Sequence, residues 1–309
     1  MKLVFCGTPQ FAVPSLERVV AAGHDVQLVV TQPDRPRGRG MELTAPPVKQ
    51  SAMRLGLPVT QPEKIKKNEE FQARLAAIRP DAIIVVGYGR IIPGWMLHLP
   101  PYGNINVHAS LLPKYRGAAP IQWAIANGET VTGVTTMKID EGLDTGDILL
   151  KRRMAIRPDD TAVTLAPRLA EMGADLLVET LQELKQGMVE PVPQDDSLAT
   201  LAPVLRKEDG LVDFNRTATE IHNRLRGFQP WPGAYTQFRG KTLKFVAARV
   251  ADGPRLAPGE LRAGVGRLFA GCGAGTSLEL LQVQPEGKKA MSARDFMSGY
   301  RPAEGERLG

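Results

Sequence analysis

The sequence is short of cysteine, of clustered histidine and of long apolar runs, and each shortage removes a class of answers. Its 309 residues contain two cysteines, Cys6 and Cys272. They lie far apart in sequence, so neither a disulfide framework nor a cysteine metal site is supported. The four histidines, His24, His98, His108 and His222, are scattered. No His-Glu-x-x-His or comparable ligand spacing occurs, so no metal is expected. No apolar run approaches the roughly 20 residues a membrane helix needs. The N-terminal Met-Lys-Leu-Val-Phe-Cys-Gly leads directly into a strand pattern, with neither a signal core nor a transit segment. A cytoplasmic enzyme with no membrane partner is the expectation.

Several cofactor and hydrolase fingerprints are missing as well. The loop after the first strand pattern, Gly7-Thr-Pro-Gln-Phe-Ala12, has no G-x-G-x-x-G, and no acid closes the second strand. Dinucleotide binding is therefore not expected. There is no Walker-type phosphate loop, and no G-x-S-x-G to anchor serine hydrolase chemistry.

What is present begins with an ordinary globular composition, 43% hydrophobic and 23% charged. The length allows two domains. The charge is unevenly spread. Residues 206–309 hold 17 Lys and Arg against 11 Asp and Glu, so the whole net charge of +6 falls there. A polyanionic partner for that part explains the excess, and so does a solubilising surface.

Strand patterns at Leu3–Cys6, Val26–Thr31, Asp81–Val86, Asn104–Ser110 and Val131–Ile139 alternate with helical ones. The helical stretches are Phe11–Ala22, Glu69–Ile78, Pro120–Ala126 and Val163–Lys185, with Pro167 delaying the regular part of the last. The alternation predicts an α/β fold with a Rossmann-like, doubly wound, mostly parallel sheet. Residues 1–187 form the expected catalytic domain. Residues 188–205, with Pro191, Pro193 and Pro203, have the composition of a linker. In residues 206–309 a helix at Thr217–Arg226 precedes short strands at Tyr235–Phe238, Thr242–Val250, Gly259–Ala263 and Ser277–Val283. These predict a small C-terminal β-barrel or sandwich, with an oligonucleotide-binding (OB-like) barrel as the expected form.

One strand breaks the pattern of buried apolar runs. In Asn104-Ile-Asn-Val-His-Ala-Ser110, a period of two puts Asn104, Asn106, His108 and Ser110 on one face. Buried polar groups without partners cost about 1–3 kcal/mol each, so the row needs partners, water or a substrate. One reading is a half-exposed edge strand with a satisfied core histidine. The other is an amide donor and an imidazole aimed at one reacting group. Downstream, Asp140-Glu-Gly-Leu-Asp144-Thr-Gly-Asp147 is an acidic, glycine-punctuated loop without EF-hand spacing. In open α/β sheets ligands sit at the C-terminal strand ends, where His108 and Asp144 can converge.

Asn106-Val-His108-x-Ser110-Leu-Leu-Pro113, Arg116-Gly-Ala-Ala-Pro-Ile-Gln122 and Asp140-x-Gly-Leu-Asp144-Thr-Gly-Asp147 resemble the folate-dependent formyltransferases. Gly7-Thr-Pro9, the run from Thr31 to Gly40, and Gly287-Lys-Lys-Ala-Met-Ser292 fit the branch whose acceptor is a charged tRNA. The resemblance covers essentially the whole chain. It implies formyl transfer from 10-formyltetrahydrofolate to the α-amino group of methionine on initiator tRNA; a monomer is expected apart from that resemblance. A sugar-nucleotide or ribonucleotide amine is the alternative acceptor within the fold.

The resemblance makes Asn106, His108 and Asp144 the catalytic residues. Asn106 suits stabilising a developing oxyanion. His108 can donate to that oxygen or move a proton, and Asp144 can orient the imidazole or hold a water that relays the proton. By the same resemblance the folate is bordered by Ser110, Leu111, Leu112, Pro113, Gly87, Tyr88, Ile91 and Asp140. Plain core packing is the competing reading for Leu111, Leu112 and Tyr88. The basic stretch Gln32–Lys49 carries Arg35, Arg37 and Arg39, and the family places its counterpart at the tRNA acceptor end. Arg206 and Lys207 open the basic part, and Lys207 matches a family lysine near the tRNA 3′ end. Val204 departs from the lysine that relatives often carry there.

Overall fold

The computed structural model describes residues 1–37, 42–264 and 266–309, which form two compact units. The first takes Met1–Pro120, Val131–Ala155 and Ala166–Ala202. The second takes Ile121–Thr130, Ile156–Leu165 and Pro203–Gly309. Two short stretches that precede residue 166 thus group with the second unit.

From the N-terminus the elements are β1 (Lys2–Gly7), α1 (Val13–Ala21), β2 (Asp25–Val30), β3 (Arg35–Arg37), β4 (Glu42–Thr44), α2 (Pro47–Arg54), β5 (Val59–Thr60), α3 (Glu69–Ile78), β6 (Ala82–Val86), α4 (Gly94–Leu97) and β7 (Asn104–His108). Next come α5 (Pro120–Ala126), β8 (Val131–Lys138), β9 (Ile148–Ala155) and α6 (Ala162–Gln186). The main sheet runs β5-β2-β1-β6-β7-β8-β9. Pairs from β5 to β7 are parallel, and β7–β8 and β8–β9 are antiparallel.

This is the doubly wound, mostly parallel sheet expected of the sequence. Leu3–Cys6 of β1 and all of β6 are buried, which suits strands covered on both faces. Pro14 sits in the first turn of α1, and Gly23 follows its end with φ +77°. Asn68 caps α3 by accepting from Phe71 N at 3.0 Å. Phe71 and Leu75 then pack with Val4, Leu28 and Ile83 in one core cluster.

Some elements differ from the sequence pattern. The Gln32–Lys49 stretch is not all irregular, because β3 and β4 pair antiparallel and α2 begins at Pro47. α6 starts at Ala162 and runs through Pro167, its first turn closed by Leu165 N donating to Thr161 O at 3.0 Å. β9 lacks a clean apolar pattern since Lys151, Arg152 and Arg153 fall inside it. It ends the sheet, where charge on an edge strand blocks further pairing. The Pro-punctuated 188–205 stretch is tied to the first unit. Val192 exchanges backbone bonds with Ile148 at 2.8 and 2.9 Å, and Ala202 N donates to Arg116 O at 2.7 Å.

The second unit contains α7 (Ala218–Gly227), β10 (Ala234–Phe238), β11 (Lys241–Ala251), β12 (Leu261–Gly264), β13 (Arg267–Gly271), β14 (Ser277–Pro285), β15 (Met291–Ser292) and α8 (Ala293–Tyr300). Its sheet is antiparallel, ordered β10-β11-β14-β13-β12, with β15 also on β14. Two register shifts between Phe245 and Ala248 let the long β11 bend. Thr217 and Glu220 cap α7 reciprocally, and Ile221 and Leu225 face a core with Phe238, Phe245, Leu280 and Phe296. Among the described residues, no helix is long and apolar enough to cross a membrane.

Candidate active site

β7 lies between β6 and β8, so its polar row is not on a sheet edge. Asn106 is opposite Val85 on one side and Met137 on the other, and His108 is opposite Thr135. Alternation sends Ile105 and Val107 to one face and Asn104, Asn106 and His108 to the other. Asn104 is 1% exposed and does not meet water at a strand end. Its Nδ2 donates to Met96 O at 2.8 Å and Leu97 O at 3.1 Å, which ties β7 to the end of α4.

Asn106 and His108 both meet Asp144. Asn106 Nδ2 lies 3.4 Å from Asp144 Oδ1, long for an N–H···O bond. His108 Nδ1 lies 3.6 Å from Asp144 Oδ2, and the imidazole is nearly buried. His108 Nε2 is 2.9 Å from Tyr115 O. A carbonyl only accepts, so Nε2 carries a proton, and Nδ1 is the nitrogen that can gain or lose one.

The route by which Asp144 arrives differs from simple strand-end convergence. β8 is antiparallel to β7, so its last residue, Lys138, lies beside Ile105 at the start of β7. The loop after β8 therefore folds back over the polar face of β7. Asp144 adopts φ +52°, a left-handed conformation that Asp tolerates better than most residues. Its Oδ2 accepts from Gly117 N at 2.8 Å. Gly117 has φ +118°, and a Cβ there would meet Ala202 O at 2.7 Å, so the donor's position demands glycine. At Gly146 a Cβ would meet Lys138 O at 2.0 Å.

Further residues hold this cluster, and the sequence reading gave them no role. Gln194 Nε2 donates to Asp144 O at 2.9 Å and Gly146 O at 2.8 Å, fastening the acidic loop. Gln194 Oε1 accepts from Arg116 Nε at 3.1 Å and Nη2 at 2.9 Å, and Arg116 also pairs with Asp196 Oδ1 at 2.8 Å. Thr135 Oγ1 donates to Ser110 O at 2.7 Å and accepts from Leu112 N at 3.1 Å, fixing the turn after His108. Arg116 was visible within a motif. Gln194 was hidden in a stretch whose prolines resemble a tether.

The candidate folate residues divide by what their side chains already do. Ser110 is buried, with Oγ donating to Lys114 O at 2.6 Å. Leu112 packs on Met137 and Ile148. Tyr88 is 1% exposed inside a core cluster, and burial pushes its phenol well up. The Asp140 carboxylate accepts from Gly142 N at 3.0 Å and from Thr145 Oγ1 at 2.7 Å, bracing its own loop. Gly87 has φ +55° against Pro9. Leu111 and Pro113 are half-buried, and Ile91 is 90% exposed. Available apolar side-chain surface thus comes from Ile91, Leu111 and Pro113, while Tyr88, Ser110, Leu112 and Asp140 are engaged in structure.

Of the basic candidates, Arg35, Arg206 and Lys207 are exposed. Arg39 and the side chain of Arg37 lie outside the described residues. Lys49, within the same basic stretch, is paired with Asp34 Oδ2 at 2.7 Å. Hydrogen bonds from Lys49 and Gln61 hold the Asp34 carboxyl below its ordinary range. Among the described residues, no group of His, Cys, Asp and Glu is gathered as a metal site.

The chain as a whole is similar to proteins of known families. The family model "Formyl transferase" matches residues 1–181, and "Formyl transferase, C-terminal domain" matches 204–301. The methionyl-tRNA formyltransferase of Koribacter versatilis is 68% identical over 309 residues, covering 100% of this chain and 99% of that protein. That of Acidobacterium capsulatum is 64% identical over 310 residues, covering 100% of both. Among solved structures, a sugar 3N-formyl transferase crystallised with dTDP and 5-N-formyl-THF superposes with a TM-score of 0.66 at 18% identity. That match covers 94% of this chain and 99% of the other and speaks to the fold alone.

Proposed function

This chain belongs to the formyl transferase family, and on that premise we propose that it transfers the formyl group of 10-formyltetrahydrofolate to the α-amino group of methionyl-initiator tRNA. The observation that carries the chemical part of this reading is the meeting of Asn106, His108 and Asp144 on one face of β7. Full-length identity of 68% to a methionyl-tRNA formyltransferase supports the acceptor. Sugar formyltransferases resemble the chain in fold at 18% identity, which gives an aminosugar acceptor less support.

The donor supplies an activated formyl carbon, and the residues supply the rest. Asn106 offers a neutral N–H donor on a buried sheet, suited to the oxygen that gains charge as the amine attacks. Its contact with Asp144 is long, so the amide can exchange that partner for the developing oxyanion. His108 has Nε2 committed to Tyr115 O, so Nδ1 takes the proton that the amine sheds and passes it to the folate nitrogen as that nitrogen's bond to the formyl carbon breaks. Asp144, 3.6 Å away, stabilises the resulting imidazolium. A free α-amine has a pKa of about 8, and esterification lowers it, so strong base catalysis is not required. Positioning and oxyanion stabilisation carry the rate. Ile91, Leu111 and Pro113 offer apolar surface for a flat ring, and backbone groups around Gly87 and the Asp140–Asp144 loop complete the proposed folate border.

On this reading residues 1–187 are catalytic, 188–205 connect, and 206–309 grip tRNA together with Arg35, Arg37 and Arg39. The chain works in the cytoplasm as a monomer. A labelled-formyl assay tests the acceptor. Charged initiator tRNA is expected to be formylated far faster than charged elongator methionine tRNA or aminosugar nucleotides. Preference for a small amine overturns the proposal.

A further inference from the structure

On the outer face of the second unit's sheet, three side chains form a row across three strands. Tyr235 of β10 is opposite Lys244 of β11, and Lys244 is opposite Gln284 of β14. The flanking Thr236, Leu243, Phe245 and Val283 are buried, so strand alternation turns the row outward. Trp231, from the turn before β10, and Lys207 join the row in lining a cavity of about 430 Å³.

A single exposed apolar side chain needs no explanation. Trp231 differs in size and company. Among the described residues it is the one Trp or Phe classed as exposed, at 55%. The Tyr235 ring beside the same cavity is half-buried. Neither Lys207 nor Lys244 has an ion-pair partner among the described residues. Glu286 also lines the cavity and keeps its charge, its Oε2 accepting from Thr242 N at 2.9 Å, so the two lysines leave the lining positive by one. Gln284 Nε2 donates to Lys288 O at 2.9 Å, which leaves its oxygen as an open acceptor.

Flat rings, two unpaired ammonium groups and an amide acceptor around a cavity suit one kind of guest. A base stacks on the rings, an exocyclic N–H meets the amide oxygen, and a phosphate meets the lysines. The volume falls within the range of small-ligand sites. We propose that this cavity holds one unpaired nucleotide of the RNA partner, its base against Trp231 and Tyr235 and its phosphate on Lys207 and Lys244. This rests on the charged-tRNA reading and deepens it, adding a stacking grip to what charge alone offers.

The full chain is tested by fluorescence anisotropy with a labelled single-stranded oligoadenylate, whose bases carry the exocyclic N–H, and by steady-state formyl transfer to charged initiator tRNA. Trp231→Ala and Tyr235→Ala are each expected to weaken oligonucleotide binding roughly five- to hundredfold. They raise KM for charged tRNA more than they lower kcat. Trp231→Phe retains most of the affinity because the ring remains. Lys244→Ala lowers the salt slope of binding by about one, whereas Trp231→Ala leaves it unchanged. A folded Trp231→Ala protein that binds the oligonucleotide and charged tRNA as the wild type does overturns the pocket, even where wild-type formylation upholds the acceptor. Failure of the wild type to formylate tRNA overturns the acceptor instead, and oligonucleotide binding then decides the pocket by itself.

Discussion

His108 has one nitrogen held and one available, and that asymmetry sets the expectations for each catalytic side chain. With Nε2 committed to Tyr115 O, the proton-transfer role falls to Nδ1 beside Asp144. Asp144→Asn keeps the shape of the site and removes the charge that stabilises an imidazolium. Its kcat is expected to fall by about a hundredfold or more with thermal stability little changed, measured by formyl transfer and melting. Asn106→Ala loses an oxyanion donor, for an expected loss of roughly 10²–10³ in kcat. Gln194→Ala acts through position. It frees the carbonyls of Asp144 and Gly146 and deprives Arg116 of an acceptor, so stability drops by about 1–3 kcal/mol and kcat falls more than KM changes. Asn106, His108 and Asp144 were readable because a two-residue period and an acidic glycine loop stand out in sequence. Gln194 was not, since a glutamine in a proline-punctuated stretch carries no local signal of the loop it reaches 50 positions away. The engaged state of Ser110 and Asp140 was equally invisible, because a polar side chain looks the same whether its partner is a ligand or its own loop.

At the scale of elements, the strand-and-helix alternation of the first unit was legible because each buried strand writes a continuous apolar run. β9 escaped because a sheet-ending strand with one face to water tolerates Lys151, Arg152 and Arg153 in succession. Strand direction escaped too: the pattern of β8 is the same parallel or antiparallel, and its reversal is what sends the Asp144 loop back across β7. That crossing leaves no room at Gly146 or Gly117. Gly117→Ala is expected to destabilise the protein by a few kcal/mol and to lower kcat through displaced Asp144, read by melting and by transfer rate. In the second unit, Glu279 of β14 is 4% exposed between Arg267 and Arg249, at 2.6 and 2.8 Å. The Arg267 guanidinium, with Arg249, holds its carboxyl at about 2 against an ordinary 4.5. A carboxyl depressed in the folded state stabilises fully above its unfolded value, and the contribution disappears as pH falls from about 4.5 to 2. Both guanidiniums are substantially exposed, so the contribution is discounted to about 1–2 kcal/mol. Glu279→Gln is expected to lower stability at neutral pH by that amount and to flatten the decline between pH 4.5 and 2, measured by urea unfolding.

At the scale of the whole molecule, the sequence partitions its charge, with the net +6 in residues 206–309 and the proposed formyl-transfer cluster in the first unit. Charge composition pointed to a polyanion without saying how one is held, because composition has no geometry. The register of β10, β11 and β14 adds that geometry by aligning Tyr235, Lys244 and Gln284 on one outward face. Affinity for tRNA is expected to fall roughly tenfold or more between 50 and 200 mM salt. A flat response leaves the basic unit without the proposed role. The most direct test of the central claim is single-turnover transfer of labelled formyl from 10-formyltetrahydrofolate to charged initiator tRNA, by the wild type and by folded His108→Ala. Rapid transfer by the wild type and a loss of roughly 10²–10⁴ in the variant are predicted. Undiminished transfer by His108→Ala contradicts the assignment of chemistry to the Asn106, His108 and Asp144 cluster.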